Sequence, residues 1–168
     1  MKPKLIVLLT IYIFFGVKAM AQMPTIAFEA DITNQQSNPL SPFKFDAVKY
    51  NQGSAFSPRA NMFVAPVNGV YFFCAIFLWE GFGCGYQGGT LNVAALKNQR
   101  DTLYCIRRMA GYHEWGNFTT NLTFSTKLNA GDRVSLSSAY NFCTGSPINS
   151  TRALLFSGSF SGYKVYSE

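Results

Sequence analysis

Residues 45–75 read FDAVKYNQGSAFSPRANMFVAPVNGVYFFCA. Apolar and aromatic side chains recur there at Phe45, Val48, Tyr50, Phe56, Phe63, Val64, Tyr71 and Phe73, and the pairs Gln52-Gly53, Ser57-Pro58 and Asn68-Gly69 interrupt them. Glycine and asparagine tolerate the positive backbone angles of tight turns, and proline presets φ. Short strands joined by tight connections are therefore expected, as at the start of a β-sandwich.

Working outward, residues 25–30 (TIAFEA) predict a strand, and 31–42 (DITNQQSNPLSP) an exposed polar loop. Toward the carboxyl end the pattern gives strands at 62–65 and 69–79, a glycine-rich loop, then strands at 90–97, 102–108, 118–128, 133–140, 152–156 and 159–166. No window carries an apolar stripe at helical spacing with caps at its ends, so the chain is all-β. Phe118, Thr120, Leu122 and Phe124 alternate with polar neighbours, which gives one buried and one wet face. Residues 70–79 do not alternate, and their second face needs cover from a loop or disulfide of the same chain or from another subunit. The 16 Phe add to the apolar surface that one sandwich must hide.

The amino end has the layout of a cleaved secretory signal. Lys2 and Lys4 precede an apolar run at 5–17, and Ala19-Met20-Ala21 supplies a small-x-small site, with the cut expected after Ala21. That run of 13 residues is shorter than the roughly 20 that span a bilayer as a helix. Residues 70–79 are shorter still, so no membrane span is expected and the product is exported. Residues 22–168 form one domain long enough to bury a sizeable core. Lys2, Lys4 and Lys18 leave with the signal, so 14 basic residues become 11 against 8 acidic ones and the net charge falls from +6 to +3. The longest basic run is Arg107-Arg108, which offers nucleic acid no cluster of phosphate contacts.

Cys74, Cys84, Cys105 and Cys143 enter an oxidising compartment, where two intrachain bridges are expected. Three pairings exist and the sequence does not choose among them. Zinc is disfavoured, because there is no Cys-x-x-Cys and only one His. That His113 lies beside Glu114 in the loop-like 111–116 (GYHEWG), and no Gly-x-Ser-x-Gly elbow accompanies it. No catalytic residue is assigned and no enzyme is expected. Residues 83–88 fit Gly-x-Gly-x-x-Gly by letter, but 89–93 begin a strand where a phosphate site needs a helix.

Asn117, Asn121 and Asn149 open N-glycosylation sequons. Asn117 and Asn121, four apart on one strand, share a face, and a glycan on either keeps that face in solvent. Arg107, Arg108, Tyr112, His113, Glu114 and Trp115 are the candidate ligand-binding group, since guanidinium and aromatic side chains suit anionic groups and sugar rings. The competing reading makes Tyr112 and Trp115 core anchors and the arginines a solvated edge.

Phe45, Asn51, Phe56, Phe63, Gly69, Tyr71 and Phe73 are separated by five, four, six, five, one and one residues. In that spacing the chain resembles the globular head domain of complement C1q, departing only at Ala75, where that family has Phe or Tyr. Residues 27–30 resemble its first strand, 131–134 (GDRV) a turn into a later one, and 160–163 (FSGY), with Phe160 and Gly162, its closing strand. The likeness is loose at 79–117. It implies a ten-stranded jelly roll of the C1q/tumour necrosis factor type that assembles as a trimer of identical or related chains. It also implies signature aromatics that serve both core and subunit contacts. No Gly-x-y repeat occurs, so a head without a collagen stalk is expected. Some relatives bind calcium through carboxylates; no ligand set maps onto named positions here. The implied role is a secreted, lectin-like recognition module for glycans or other surface ligands in innate immunity. The alternatives are a signalling ligand for a protein receptor and a structural matrix component.

Overall fold

Residues 69–81 form a 13-residue strand hydrogen-bonded on each side to another strand of that length. The computed structural model describes residues 25–37, 40–81, 90–109, 116–141 and 154–166. Its strands are β1 (Ala27–Ile32), β2 (Gln36–Ser37), β3 (Ala47–Gln52), β4 (Phe56–Ser57), β5 (Met62–Val64), β6 (Gly69–Gly81), β7 (Thr90–Lys97), β8 (Asp101–Met109), β9 (Gly116–Leu128), β10 (Arg133–Asn141) and β11 (Leu154–Tyr166). The described residues contain no helix.

Two antiparallel sheets result, one ordered β3-β1-β11-β6-β9 with β2 beside β11, the other β4-β5-β10-β7-β8. From β8 onward the chain changes sheet at every connection, which sandwiches the inward-facing side chains between the layers. Alternation decides which those are. In β1 every second residue is buried, ending with Phe28, Ala30 and Ile32, and in β7 they are Leu91, Val93 and Ala95. Phe28, Phe43, Phe63, Phe73, Phe77, Trp79 and Phe160 fill the space between the sheets.

Among the described residues there are eleven strands, of which β2 and β4 are two residues each. Two expectations change. The strands expected at 152–156 and 159–166 are one strand, β11, with a bulge between Leu155 and Ser157. Gly158, between the two expected strands, continues the ladder opposite Phe77, whose ring occupies the space a Cβ would need. The loop at 31–42 is not wholly exposed: Ile32 and Leu40 are buried. Leu40 and Ser138 exchange backbone hydrogen bonds of 3.2 and 2.7 Å, and Phe43 N donates to Leu136 O at 3.0 Å. Residues 40–43 therefore run along β10.

Polar side chains set the turns. Asn51 Nδ2 donates to Phe56 O at 2.8 Å and Phe56 N donates to Asn51 Oδ1 at 2.9 Å, closing the β3–β4 connection as a strand partner would. Asp46 accepts from the backbone N–H groups of Thr33 at 2.8 Å and Asn34 at 3.0 Å, and from the Asn34 amide. Partial burial alone would raise its pKa, but those hydrogen bonds outweigh it and hold the carboxyl below its ordinary value.

Candidate functional site

Among the described residues, no layer covers the outer face of the sheet containing β6. On β6 the inward set is Tyr71, Phe73, Ala75, Phe77 and Trp79, so Val70, Phe72, Cys74, Ile76 and Leu78 point outward. Ile76 is 47% exposed, and Tyr50 at 43% and Tyr163 at 50% are further exposed residues of the same face. Phe72 and Tyr163 pair across β6 and β11 with ring centroids 5.2 Å apart. Around them lie small polar residues, Ser159 and Ser161 on β11 and Thr123 on β9. Toward β3, Lys49 bridges Glu29 at 2.7 Å and Asp31 at 2.8 Å, and Asp31 followed by Glu29 raises the lysine pKa. Such exposed pairs contribute little stability.

The second region is the side of the sandwich where β8 and β9, the edge strands of opposite sheets, approach each other. Tyr104 stacks on Phe124 at 5.8 Å, and the Arg108 guanidinium lies 4.6 Å from the Phe118 ring centre. Arg107, one residue earlier, points the other way and donates from Nε to Asn92 Oδ1 at 3.0 Å. The two arginines expected in one ligand group thus occupy opposite faces of β8, since neighbours on a strand point apart. Tyr112, His113, Glu114 and Trp115 lie outside the described residues.

The signature residues form one interior cluster. Phe45, Phe56, Phe63, Tyr71, Phe73 and Phe160 are all buried, and Phe63 meets both Tyr71 and Phe73 at 5.1 Å between ring centres. Tyr71 OH donates to Val67 O at 2.7 Å, which satisfies its polar end; burial raises its pKa above the ordinary tyrosine value. Gly162 lets Phe73 and Phe28 close in, and Gly69 lies against Tyr166 O. These aromatics are core residues of the single chain. The outward residues between them, Phe72, Ile76 and Tyr163, are the ones a partner can reach. For Phe72 and Ile76 the sequence signal was the missing alternation of 70–79.

Cys74 and Cys105 are free among the described residues, and no bridge joins them to each other. Cys74 faces outward from one sheet and Cys105 outward from the other, with the whole core between, whereas a disulfide needs Cα atoms about 4.4–6.8 Å apart. Cys84 and Cys143 lie outside the described residues, as do Asn149 and residues 1–24. Asn117 and Asn121 are exposed on β9 and share its outer face. Among the described residues no three or more His, Cys, Asp and Glu side chains gather to hold a metal, so the implied calcium has no ligand set there. No helix among them is long and apolar enough to cross a membrane.

The sequence profile described as C1q domain matches residues 27–163, the span from the start of β1 to Tyr163 within β11. The chain belongs to the C1q domain family. Solved relatives of this C1q domain share its fold at low identity. The globular domain of zebrafish complement 1qA superposes with a TM-score of 0.56 at 16% identity, covering 86% of this chain and 99% of that one. The Eiger tumour necrosis factor of S. frugiperda gives 0.60 at 10% identity, covering 86% and 95%. This C1q domain is therefore a two-sheet jelly roll of the kind shared by both.

Proposed function

We propose that this C1q-domain protein is a secreted recognition module that works as a trimer of identical chains. The observation that carries the assembly is the outer face of the β6 sheet: an apolar centre of Ile76, Phe72 and Tyr163 ringed by small polar residues. Large apolar side chains left outward on one sheet face of a small domain mark an interaction surface. The fold does not choose the ligand. The reading takes glycans or other surface ligands as that ligand, with contacts made by loops and by the outward face of β8 that carries Arg107. A guanidinium there reads anionic sugars by paired hydrogen bonds.

Light scattering on the purified mature chain tests the assembly at micromolar concentration; a mass of one chain would sink it. A panel of glycans and microbial polysaccharides, run with calcium and with chelator, tests the ligand. Selective binding supports the recognition role, and chelator sensitivity adds a metal. Silence across the panel moves the role to a protein receptor or to the matrix. Arg107→Ala should weaken binding to anionic glycans while leaving the assembly intact.

A further inference from the structure

Asn121 stands midway along β9, directly opposite Ile76 in the β6–β9 ladder. It is exposed, on the same outer face, and Thr123 two residues on donates its hydroxyl to Asn121 Oδ1 at 3.3 Å. Acceptor and sequon hydroxyl are therefore side by side on the sheet that the assembly uses. Opposite residues of an antiparallel pair hold their Cβ atoms about 4.5–5.5 Å apart. A sugar on Asn121 thus begins beside Ile76, the exposed apolar centre of the face. The other sequon of the strand differs in place: Asn117 sits opposite Glu80 near the start of β9, about 13 Å further along at 3.3 Å per residue.

We propose that Asn121 is an N-glycosylation site whose occupancy decides the assembly state. With a glycan there the outer face stays in solvent and the chain is single; without one the face packs against another copy. Asn117, at the end of the strand, carries a glycan without reaching the contact. The inference rests on the assembly proposed above. In the transfer, Asn121 Nδ2 bonds to C1 of an oligosaccharide carried on a lipid pyrophosphate. The C1–O bond to phosphate breaks, the amide gives up one proton, and the lipid pyrophosphate leaves. An N-glycan is bulky and strongly hydrated, and an apolar contact closed over it would bury polar groups without partners.

The test expresses the full chain in a eukaryotic secretory host as wild type, Asn121→Gln and Asn117→Gln. Fractions are sized by light scattering, and each site's occupancy is read by peptide mass spectrometry. The Asn121 glycopeptide should be at least tenfold enriched in the single-chain fraction. Asn121→Gln should move that fraction into the assembled one, and Asn117→Gln should leave the distribution unchanged. Equal Asn121 occupancy in both fractions, or none in either, overturns the proposal while the assembly stands. An Asn121→Gln chain that stays single overturns the assembly itself and the proposal with it.

Discussion

Gly162 is the residue at which a single methyl tests the packing of the core. A Cβ there would come 2.6 Å from Phe73 Cδ1 and 2.9 Å from Phe28 Cε1, and both rings are fully buried with no open side to retreat toward. Gly162→Ala should cost about 1–3 kcal/mol through overpacking, read as a lower urea midpoint with an unchanged slope. Asp132 is a second such point. The Lys97 ammonium at 2.8 Å, helped by the Asn98 amide and the Asn129 N–H, outweighs partial burial and brings its pKa from 3.8 down to about 2. A carboxyl depressed on folding stabilises the fold above its unfolded pKa, and that contribution is lost as pH falls through the folded value. The stability difference between wild type and Asp132→Asn should therefore be constant above about pH 5 and shrink toward pH 2. Urea unfolding at pH 6, 4 and 2 measures it, and a difference that stays flat would remove the ion pair from the account.

Strands show where sequence reading reached and where it stopped. The strands at 90–97 and 133–140 were legible because period-two alternation states both the element and its buried face. Residues 152–166 were not, because a glycine under a ring looks, in one dimension, like a glycine in a turn. Leu40 was hidden for another reason: its anchor is a pair of backbone hydrogen bonds to Ser138, which composition does not register. At the candidate site the adjacent Arg107 and Arg108 were grouped into one ligand set although they fall in the strand expected at 102–108, whose alternation sends them to opposite faces. Trp79 was read as the end of an apolar run, yet it links two elements: its indole N–H donates to Thr120 Oγ1 at 2.8 Å inside the β6–β9 pair. Thr120→Val strands that buried donor and should cost about 1–3 kcal/mol. Trp79→Phe with Thr120→Val removes both partners, so the double variant should lose less than the two single losses combined. A coupling below about 0.5 kcal/mol in that cycle would mean the bond does not tie the strands together.

At the scale of the molecule, one residue step along β6 separates folding from assembly. Phe77 points into the core with no exposure, and Ile76 points out of the sheet at 47%. A charge at Phe77 meets the interior, where an unpaired charge is not tolerated, and Phe77→Lys should give no folded protein. A charge at Ile76 meets water in the single chain, where surface substitutions shift stability by about 0.5 kcal/mol or less. The same charge in a closed contact between copies would be desolvated without a partner. Ile76→Lys should therefore keep the circular dichroism spectrum and unfolding midpoint of a folded single chain while light scattering reports the mass of one subunit. Arg107→Ala, on the opposite sheet, serves as the control and should remain assembled. An Ile76→Lys protein that assembles like wild type would place the contact elsewhere on the sandwich, and the edge formed by β8 and β9, where Tyr104 stacks on Phe124, would be the next surface to charge.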